Sequence, residues 1–531
     1  MTGGSGVETF GIPLLLAGLT GMAAVMSNRL SERLNVPAPA FFLVCAAIAS
    51  ALWTRLGGTP VSAVEDVVTV ALVIVLFDGG MQIGLDNFIT EIGATLWLGV
   101  VGTMVTAGAM AVLAHEIAGF GWRLALLLGT AVAPTDPAVV FSVLGRREIG
   151  GRAGVLLQGE SGANDPVGIA LMLALLGATG SAGSITLHVL TTFVVQMLVG
   201  GAIGFGGARL LLVVMRKIPL PSEGLYSPRV LAWVLAIYGL TAVLHGSGFL
   251  AVFVAGIVIG DEPAPYKREI QRFHGSLASL AEIVAFIMLG LTVQLRDVAS
   301  RSAWSAGLLL AVLLVLFVRP VLVGLVTLPI RLGIRDRLFL LWTGLKGAVP
   351  ILLGMFMVSS GIADGQHAYD VIFVIVAFSV AVQGGLVPFI VRRLRIPVRI
   401  VEPEPWSLGV RFSAEPEGLH NFRVAPGSPA AGTTIGKLAK GRVAWVSAIV
   451  RGGHLVTADA DTLLQPGDEV AVLADAGSAD MLSELFEGLR PRQRPEQAEQ
   501  GLPLRWAARP ARATGRPIRR RQHRSADLAE P

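Results

Sequence analysis

The chain has 531 residues, of which 53% are hydrophobic and only 15% are charged, and its mean hydropathy is +0.68. Soluble proteins carry about 25% charged residues, so this composition excludes an ordinary soluble domain and indicates a polytopic membrane protein. The net charge of +5 gives no reason to expect a nucleic-acid partner, and the single cysteine, Cys45, excludes an intramolecular disulfide and any cysteine-based metal site.

The apolar segments predict an all-α membrane domain over residues 1–395, with about 13 transmembrane helices of roughly 17–25 residues each. No basic region precedes the first apolar stretch, so that stretch is expected to remain as a helix. Only His245-Gly246-Ser247-Gly248 separates the eighth and ninth spans, which leaves open twelve spans with one re-entrant segment. The predicted spans centre near residues 20, 45, 70, 103, 135, 166, 200, 237, 254, 285, 315, 348 and 380.

Basic residues in the short loops indicate the orientation. If the N-terminus faces out, the outer loops hold only Arg55, Arg123, Arg296 and Arg301, whereas the inner loops are rich in Arg and Lys. Positive loops face the cytoplasm. The sequence therefore predicts a multi-pass protein of the cell (inner) membrane, in contact with membrane lipid, with a cytoplasmic C-terminus and an odd number of spans.

Two adjacent predicted spans carry acidic side chains at their middle. An ionisable group at mid-bilayer costs at least ~2.5–3.5 kcal/mol, so such groups usually line an ion or proton path, although a carboxylate that only pairs helices is the alternative. Both spans place a proline directly after an aspartate. They are Leu126–Leu144, which contains Thr135-Asp136-Pro137, and Val155–Leu176, which contains Glu160-Ser161-Gly162-Ala163-Asn164-Asp165-Pro166.

The fifth and twelfth spans are predicted to be interrupted helices. Pro137 breaks the fifth, and the segment 344–350, which reads Gly-Leu-Lys-Gly-Ala-Val-Pro, disturbs the twelfth. Spans seven apart correspond in an inverted repeat, and paired interruptions indicate a midplane binding site. Lys346 would compensate the freed carbonyl ends, Asp136 would suit the amide ends, and the Thr135 backbone oxygen is a natural cation ligand. The alternative for the twelfth span is a simple kink.

Asp165 is the main candidate for ion and proton binding, with Asn164 and Ser161 beside it. Glu160 lies five residues earlier, about 140° around a helix, so it is expected to point elsewhere. Arg319, in the eleventh span, is its available partner, and we predict that this pair is structural.

Competition at one carboxylate supplies a mechanism. If a proton and a monovalent cation compete for Asp165, with Thr135 as a further ligand, one proton exchanges for one cation and exchange is electroneutral. Asp78, near the end of the third span, is either a further cation ligand or an inner-mouth gate, or else an ordinary helix-end acid. Glu65 and Glu282 lie near span edges and receive no role.

Together these motifs, with Arg319-Pro320 and Gly344-Leu345-Lys346-Gly347-Ala348, resemble the monovalent cation/proton antiporter family, and more closely its NhaP-type sodium or potassium/proton antiporters. The resemblance covers about residues 10–395. It implies a homodimer whose six-helix core moves like an elevator, an ion and proton site at Asp165 supported by Asp136, cation coordination by Asp78, and a Glu160–Arg319 pair. Lys346 departs from the arginine that many relatives carry.

A small cytoplasmic α/β domain is predicted at residues 406–487, with strands near 419–424, 443–450, 455–456 and 469–473 and a helix at 479–486. Its turns, including Leu464-Gln465-Pro466-Gly467-Asp468, resemble the TrkA-C (RCK-C) regulatory domain of potassium-transport proteins. That resemblance implies ligand-gated or dimerisation-dependent control, with a small-molecule regulator of nucleotide type as the candidate ligand, and it shifts the expected cation from sodium towards potassium. The basic tail, 488–531, is predicted to be disordered.

Three classes of function compete. The first is a secondary antiporter, which needs no cofactor beyond its transported potassium or sodium and proton, and which is not an enzyme. The second is a ligand-gated potassium efflux channel on the same fold, although no filter-like loop is present. The third is an intramembrane enzyme that pairs Asp136 with Asp165. Isolated midplane acids favour the antiporter.

Overall fold

The computed structural model describes residue 22 and residues 38–52, 60–144, 147–178, 182–262, 264–293, 303–400, 419–439, 444–452, 454–474 and 479–488. Contacts divide the chain into two compact units, Met1–Glu415 and Pro416–Pro531. The predicted first span, the segment 401–418 and almost all of the predicted tail lie outside the described residues.

The first unit is almost entirely helical. Short π-helical segments, Trp97–Gly102, Leu314–Val323 and Ser379–Gly384, continue three of its helices. A two-stranded antiparallel ribbon pairs β1 (Arg147–Ile149) with β2 (Val398–Ile400). The helices are α1 (Ala38–Leu52), α2 (Val61–Ile83), α3 (Leu85–Leu96), α4 (Thr103–Ala118), α5 (Trp122–Ala131), α6 (Ala138–Leu144), α7 (Arg152–Gly177), α8 (Ala182–Lys217), α9 (Tyr226–Val243), α10 (Gly248–Asp261), α11 (Lys267–Leu291), α12 (Ala303–Leu313), α13 (Gly324–Val326), α14 (Ile334–Trp342), α15 (Ala348–Ser359), α16 (Gly365–Phe378) and α17 (Val387–Leu394).

Six helices among the described residues are long and apolar enough to cross a membrane. The mostly helical membrane domain that the composition predicted is therefore confirmed, whereas the count of about 13 spans stays a prediction. The break between the eighth and ninth predicted spans is present, since α9 ends at Val243 and α10 begins at Gly248. The six are Phe88–Ala118, Gly183–Lys217, Glu223–Val243, Lys267–Leu291, Ala303–Val326 and Gly365–Gly384.

Two of the predicted spans are interrupted near their middle. The first consists of α5 and α6, separated by a non-helical linker, and the second of α14 and α15, separated in the same way. The first linker contains Pro134 and Pro137, which lack the N–H that a continuing helix needs. In the second, Gly344 and Gly347 favour extended backbone, while Pro350 falls in the first turn of α15, where proline is tolerated.

The outer surface of the first unit is strongly apolar. Large hydrophobic side chains such as Leu198 and Leu316 expose about two thirds of their area, 68% and 65%. Exposed apolar patches on this scale indicate contact with lipid or with another protein surface, in keeping with the composition.

The second unit is a small α/β fold. An antiparallel sheet of order β3–β6–β4–β5 packs against a C-terminal helix, and the Phe422 ring stacks on Phe486 of that helix. The predicted strands and closing helix are confirmed within one or two residues. The elements are β3 (Leu419–Arg423), α18 (Ile435–Ala439), β4 (Ala444–Arg451), β5 (His454–Val456), β6 (Glu469–Ala474) and α19 (Ala479–Glu487).

An ion pair fixes one end of this sheet. Arg451 donates two hydrogen bonds of 2.8 Å to the carboxylate of Asp468, and the Gln465 N–H donates a third. Burial alone would raise the pKa of Asp468, but the hydrogen bonds from Arg451 and Gln465 outweigh burial and hold the pKa below its usual value.

This lowered pKa predicts a pH dependence. The stabilisation is complete above the unfolded-state pKa of about 3.9 and is lost as the pH falls through the folded-state pKa, because the unfolded chain then binds more protons. Asp468→Asn should abolish this contribution at pH 7. Hydrogen exchange of β4 and β6 peptides in the full-length protein measures it, after correction for intrinsic rates. Exposed Asp461→Asn is the control, and equal exchange in the two variants would contradict the prediction.

Candidate functional site

The two linkers cross inside the first unit and bind each other through their backbones. The Asp136 N–H donates a 2.8 Å hydrogen bond to the Leu345 carbonyl. The Asp136 carboxylate accepts a 2.9 Å bond from the Ala138 N–H and also faces the N–H groups of Val139 and Ala348. A single carboxylate therefore serves the amide ends of both α6 and α15, where a helix carries partial positive charge.

Lys346 interacts with the carbonyl end of an interrupted helix. Its side chain is 1% exposed, and its Nζ donates to the carbonyls of Ala133 and Pro134 at 2.9 and 3.0 Å. These oxygens follow the end of α5, where the helix no longer supplies donors. Lys346 also interacts electrostatically with Asp165. Lys346 and Asp136 thus lie at the interruptions, and the compensating roles predicted for them remain predictions.

Two polar side chains hold the linker between α14 and α15, and the sequence analysis did not identify them. The Lys346 N–H donates to the Ser379 hydroxyl at 3.0 Å, and that hydroxyl donates to Gln383 Oε1 at 2.9 Å. The Gln383 amide then donates to the carbonyl of Trp342, the last residue of α14. Two buried polar residues one turn apart in an apolar span were the available signal.

Helix α7 fixes the first linker through three side chains. Asn164 Nδ2 donates to Thr135 Oγ1 at 2.7 Å, and Asn164 Oδ1 accepts from the Thr135 N–H at 3.2 Å. Ser161 Oγ lies 3.1 Å from the same threonine hydroxyl. All three side chains are buried. The structure therefore brings Thr135, Ser161 and Asn164 together as one hydrogen-bonded group.

Asp165 differs from its neighbours because it has an unused oxygen. The residue is 9% exposed, and its Oδ1 is enclosed without a hydrogen-bond partner among the described residues. It interacts electrostatically with both Asp136 and Lys346, which places it beside the crossing. A buried carboxylate oxygen left unpaired is costly. An ion or proton bound there would remove that cost.

Glu160 forms an ion pair of its own. Arg319 Nη1 donates to Glu160 Oε1 at 2.9 Å, and both side chains are at most 5% exposed. The guanidinium also donates to the carbonyls of Leu340 and Leu341 in α14. A Cβ on Gly344 would overlap the guanidinium, so glycine is needed there. The pair therefore joins α7, the π-helical segment and the second interrupted helix.

Asp78 lies apart from the crossing in its described contacts. It is buried in α2, accepts a 2.6 Å hydrogen bond from Gln82, and lies beside Gly275 of α11. Its predicted part in cation binding therefore remains a proposal.

Gly347 is the position at which the crossing tolerates no side chain, because an added Cβ would overlap the Asp136 carboxylate. Overpacking of this kind costs about 1–3 kcal/mol, and here it would displace the carboxylate that faces the amide ends of α6 and α15. Gly347→Ala should lower the thermal unfolding midpoint and strongly reduce transport. Gly108→Ala, in α4 with open space around it, is the matched control. Equal melting and flux in both variants would show that the close approach is unimportant.

Crossed, interrupted helices with buried charges at their breaks define a membrane transporter site. A family model described as "Sodium/hydrogen exchanger, transmembrane" matches residues 20–393, and the chain belongs to this family. A second model, the TrkA-C domain, matches residues 419–487. Both resemblances inferred from the sequence are confirmed.

Relatives extend this assignment over most of the chain. It is 34% identical to the K(+)/H(+) antiporter NhaP of Alkalimonas amylolytica over 400 residues, covering 74% of this chain and 68% of the relative. It is 31% identical to the K(+)/H(+) antiporter NhaP2 of Shewanella oneidensis over 482 residues, covering 89% and 83%. The fold resembles that of the sodium proton antiporter MjNhaP1 from Methanocaldococcus jannaschii, with a TM-score of 0.59, 20% identity, and coverage of 70% of this chain and 99% of MjNhaP1.

Proposed function

We propose that the protein is a secondary antiporter that exchanges a monovalent cation, potassium or sodium, for protons across the cell (inner) membrane. The observation that carries this proposal is Asp165, whose enclosed and unpaired oxygen lies beside the crossing of two interrupted helices. Membership in the sodium/hydrogen exchanger family supports the same activity and does not favour the channel or enzyme alternatives.

A proton and a cation compete for Asp165 in this mechanism. The proton binds the carboxylate directly, whereas the dehydrated cation needs several oxygens around it. Thr135 supplies a backbone carbonyl from the first linker, and Ser161 and Asn164 hold that linker in place. Because the two ligands exclude each other, the site releases one when it binds the other, and exchange follows without a separate coupling device.

The charges support an electroneutral exchange of one proton for one cation. Glu160 is balanced by Arg319, and Lys346 interacts electrostatically with Asp165, while Asp136 accepts hydrogen bonds at the helix ends. Asp165 with a proton and Asp165 with a monovalent cation then have the same net charge. Carrying either across the membrane moves no net charge in a complete cycle.

Potassium is the preferred cation. Relatives named K(+)/H(+) antiporters are 30–34% identical to this chain, whereas the Na(+)/H(+) antiporter ApNhaP of Aphanothece halophytica is 25% identical over 373 residues. The TrkA-C domain gives a second reason, since that domain type occurs in potassium-transport proteins. We therefore expect potassium to drive faster proton flux than sodium.

The same proposal covers assembly and control. Residues 1–395 form the exchanger and assemble as a homodimer, with the site-bearing helices alternating between the two faces of the membrane. Residues 406–487 form a cytoplasmic regulatory domain that binds a small molecule, and residues 488–531 form a basic tail. The apolar outer surface of the first unit is compatible with both lipid contact and a second copy.

Purified protein in liposomes tests the activity. Addition of KCl, NaCl or LiCl should release protons from the vesicle lumen, with potassium giving the fastest rate, as reported by a luminal pH dye. A voltage dye recorded in the same vesicles should show no potential, because exchange is electroneutral. Cation flux that generates a potential without moving protons would instead establish a channel and overturn the proposal.

A further inference from the structure

Glu282 is a carboxylate within the first unit that the mechanism above does not use. It lies past the middle of α11, and its Oε1 is enclosed without a hydrogen-bond partner among the described residues. Helix α11 packs against α15, whose first N–H bonds to the Asp136 carboxylate, and the carboxyl groups of Glu282 and Asp136 interact electrostatically. Two enclosed, unpaired carboxylate oxygens, on Glu282 and on Asp165, therefore belong to the same charged region.

The position of Glu282 along α11 connects it with Asp78. Gly275 of α11 lies beside Asp78, and Glu282 follows seven residues later, within about 20° of the same helix face and roughly 10 Å further along. Ser279 lies between them, about 40° from Gly275, and is exposed. This polar face of α11 runs from the acid at one end of α2 to the acid at the crossing.

The charges explain what a carboxylate at this position does. Asp165 interacts with Asp136 and with a single lysine, Lys346, so Glu282, when it is ionised, adds to the negative potential that attracts a cation. The role open to Glu282 is electrostatic, because its charge would attract a cation without needing to coordinate it.

We infer that Glu282 is a positioning residue of the transport site, which draws a monovalent cation along the polar face of α11 from Asp78 towards Asp165. The inference rests on the proposed exchange function. Glu282 then sets the apparent affinity for the cation, while Asp165 binds the exchanged proton and cation.

Kinetics of Glu282→Gln test this role in liposomes. Removing a unit charge at a distance of roughly 12 Å changes affinity about tenfold at an effective dielectric constant of ~20, so at alkaline pH, with the Glu282 carboxyl ionised, the KM for potassium should rise about tenfold with the maximal rate nearly unchanged. Glu282→Asp should restore the low KM, because it keeps the charge. A merely structural side chain would change the maximal rate or the amount of folded protein and leave the KM unaltered.

Glu65→Gln is the matched control, since Glu65 is a partly buried carboxylate in α2 whose side chain bonds to Ser359. It should leave the potassium KM unchanged. An unchanged KM in Glu282→Gln, with normal flux in the wild type, overturns the inference alone. Absent cation-driven proton flux in the wild type overturns the proposed function instead.

The single native cysteine allows a second test. In a Cys45→Ala background, Ser279→Cys provides the only thiol. If the face of α11 is wet, a membrane-impermeant cationic methanethiosulfonate should modify this thiol in everted vesicles, and potassium should slow the reaction. A thiol facing lipid does not ionise and does not react with such a reagent. Labelling that is absent, or that potassium leaves unchanged, would contradict the proposed path.

Discussion

Asp165→Asn is expected to abolish cation-dependent proton flux while the protein remains folded. Asparagine matches aspartate in shape, yet it neither binds a proton in the physiological range nor carries the charge that holds a cation. The Oδ1 atom has no hydrogen bond to lose among the described residues. Potassium-driven proton release in liposomes should therefore fall to the level of empty vesicles, while the thermal unfolding midpoint is maintained or rises.

Asp370→Asn provides the comparison, because Asp370 is a completely buried aspartate of α16 outside the crossing. Both variants are reconstituted at equal protein content and checked for elution as a folded species. Flux in Asp165→Asn comparable with the wild type would remove Asp165 from the mechanism. Equal loss of flux in both variants would show that any buried acid in this unit is essential, which is a different conclusion.

Glu160→Ala is expected to destabilise the protein strongly, because it leaves the Arg319 guanidinium buried without its counter-charge. Removing one partner of a buried ion pair costs about 3–5 kcal/mol, whereas replacing both partners by apolar residues is often nearly neutral. The double variant Glu160→Leu with Arg319→Met should therefore recover much of the thermal stability. Recovery should be incomplete, because the carbonyls of Leu340 and Leu341 also lose their donor.

Thermal unfolding in detergent, followed by size-exclusion chromatography, measures both effects. Glu91→Ala supplies the control. Glu91 forms an exposed pair with Arg152, and such pairs contribute little, so this substitution should change the unfolding midpoint little. A Glu160→Ala variant as stable as Glu91→Ala would mean that water reaches Arg319. A double variant less stable than either single variant would mean that the pair is a net source of stability.

The sequence predicts much of this site because its rules are local. Proline lacks a backbone N–H and glycine weakens a helix, so residue types indicate the interruptions near Pro137 and Gly347, although α7 continues through Pro166. Helical periodicity separates Glu160 from Asp165, and the structure pairs Glu160 with Arg319 while Asp165 lies beside Lys346. The alternation of apolar and polar residues in the C-terminal unit predicted the strands of its sheet for the same reason.

Other parts of the site depend on contacts between residues far apart in the chain. Ser379 and Gln383 look like ordinary polar residues of an apolar span until their partners, Lys346 and Trp342, are known. Glu282 received no role because its position suggested only a span edge, whereas it faces Asp136, almost 150 residues earlier. Such pairs arise from packing between helices, which periodicity within one helix does not encode.

The crossing of the two linkers constrains how the protein can move. Asp136 bonds to the Leu345 backbone and faces the amide end of α15, and Lys346 bonds to Ala133 and Pro134 in return. Drawing the linkers apart would leave these buried groups unpaired, at about 1–3 kcal/mol each. The two interrupted helices therefore form one mechanical piece, and a displacement that turns Asp165 from one face of the membrane to the other must carry both of them together.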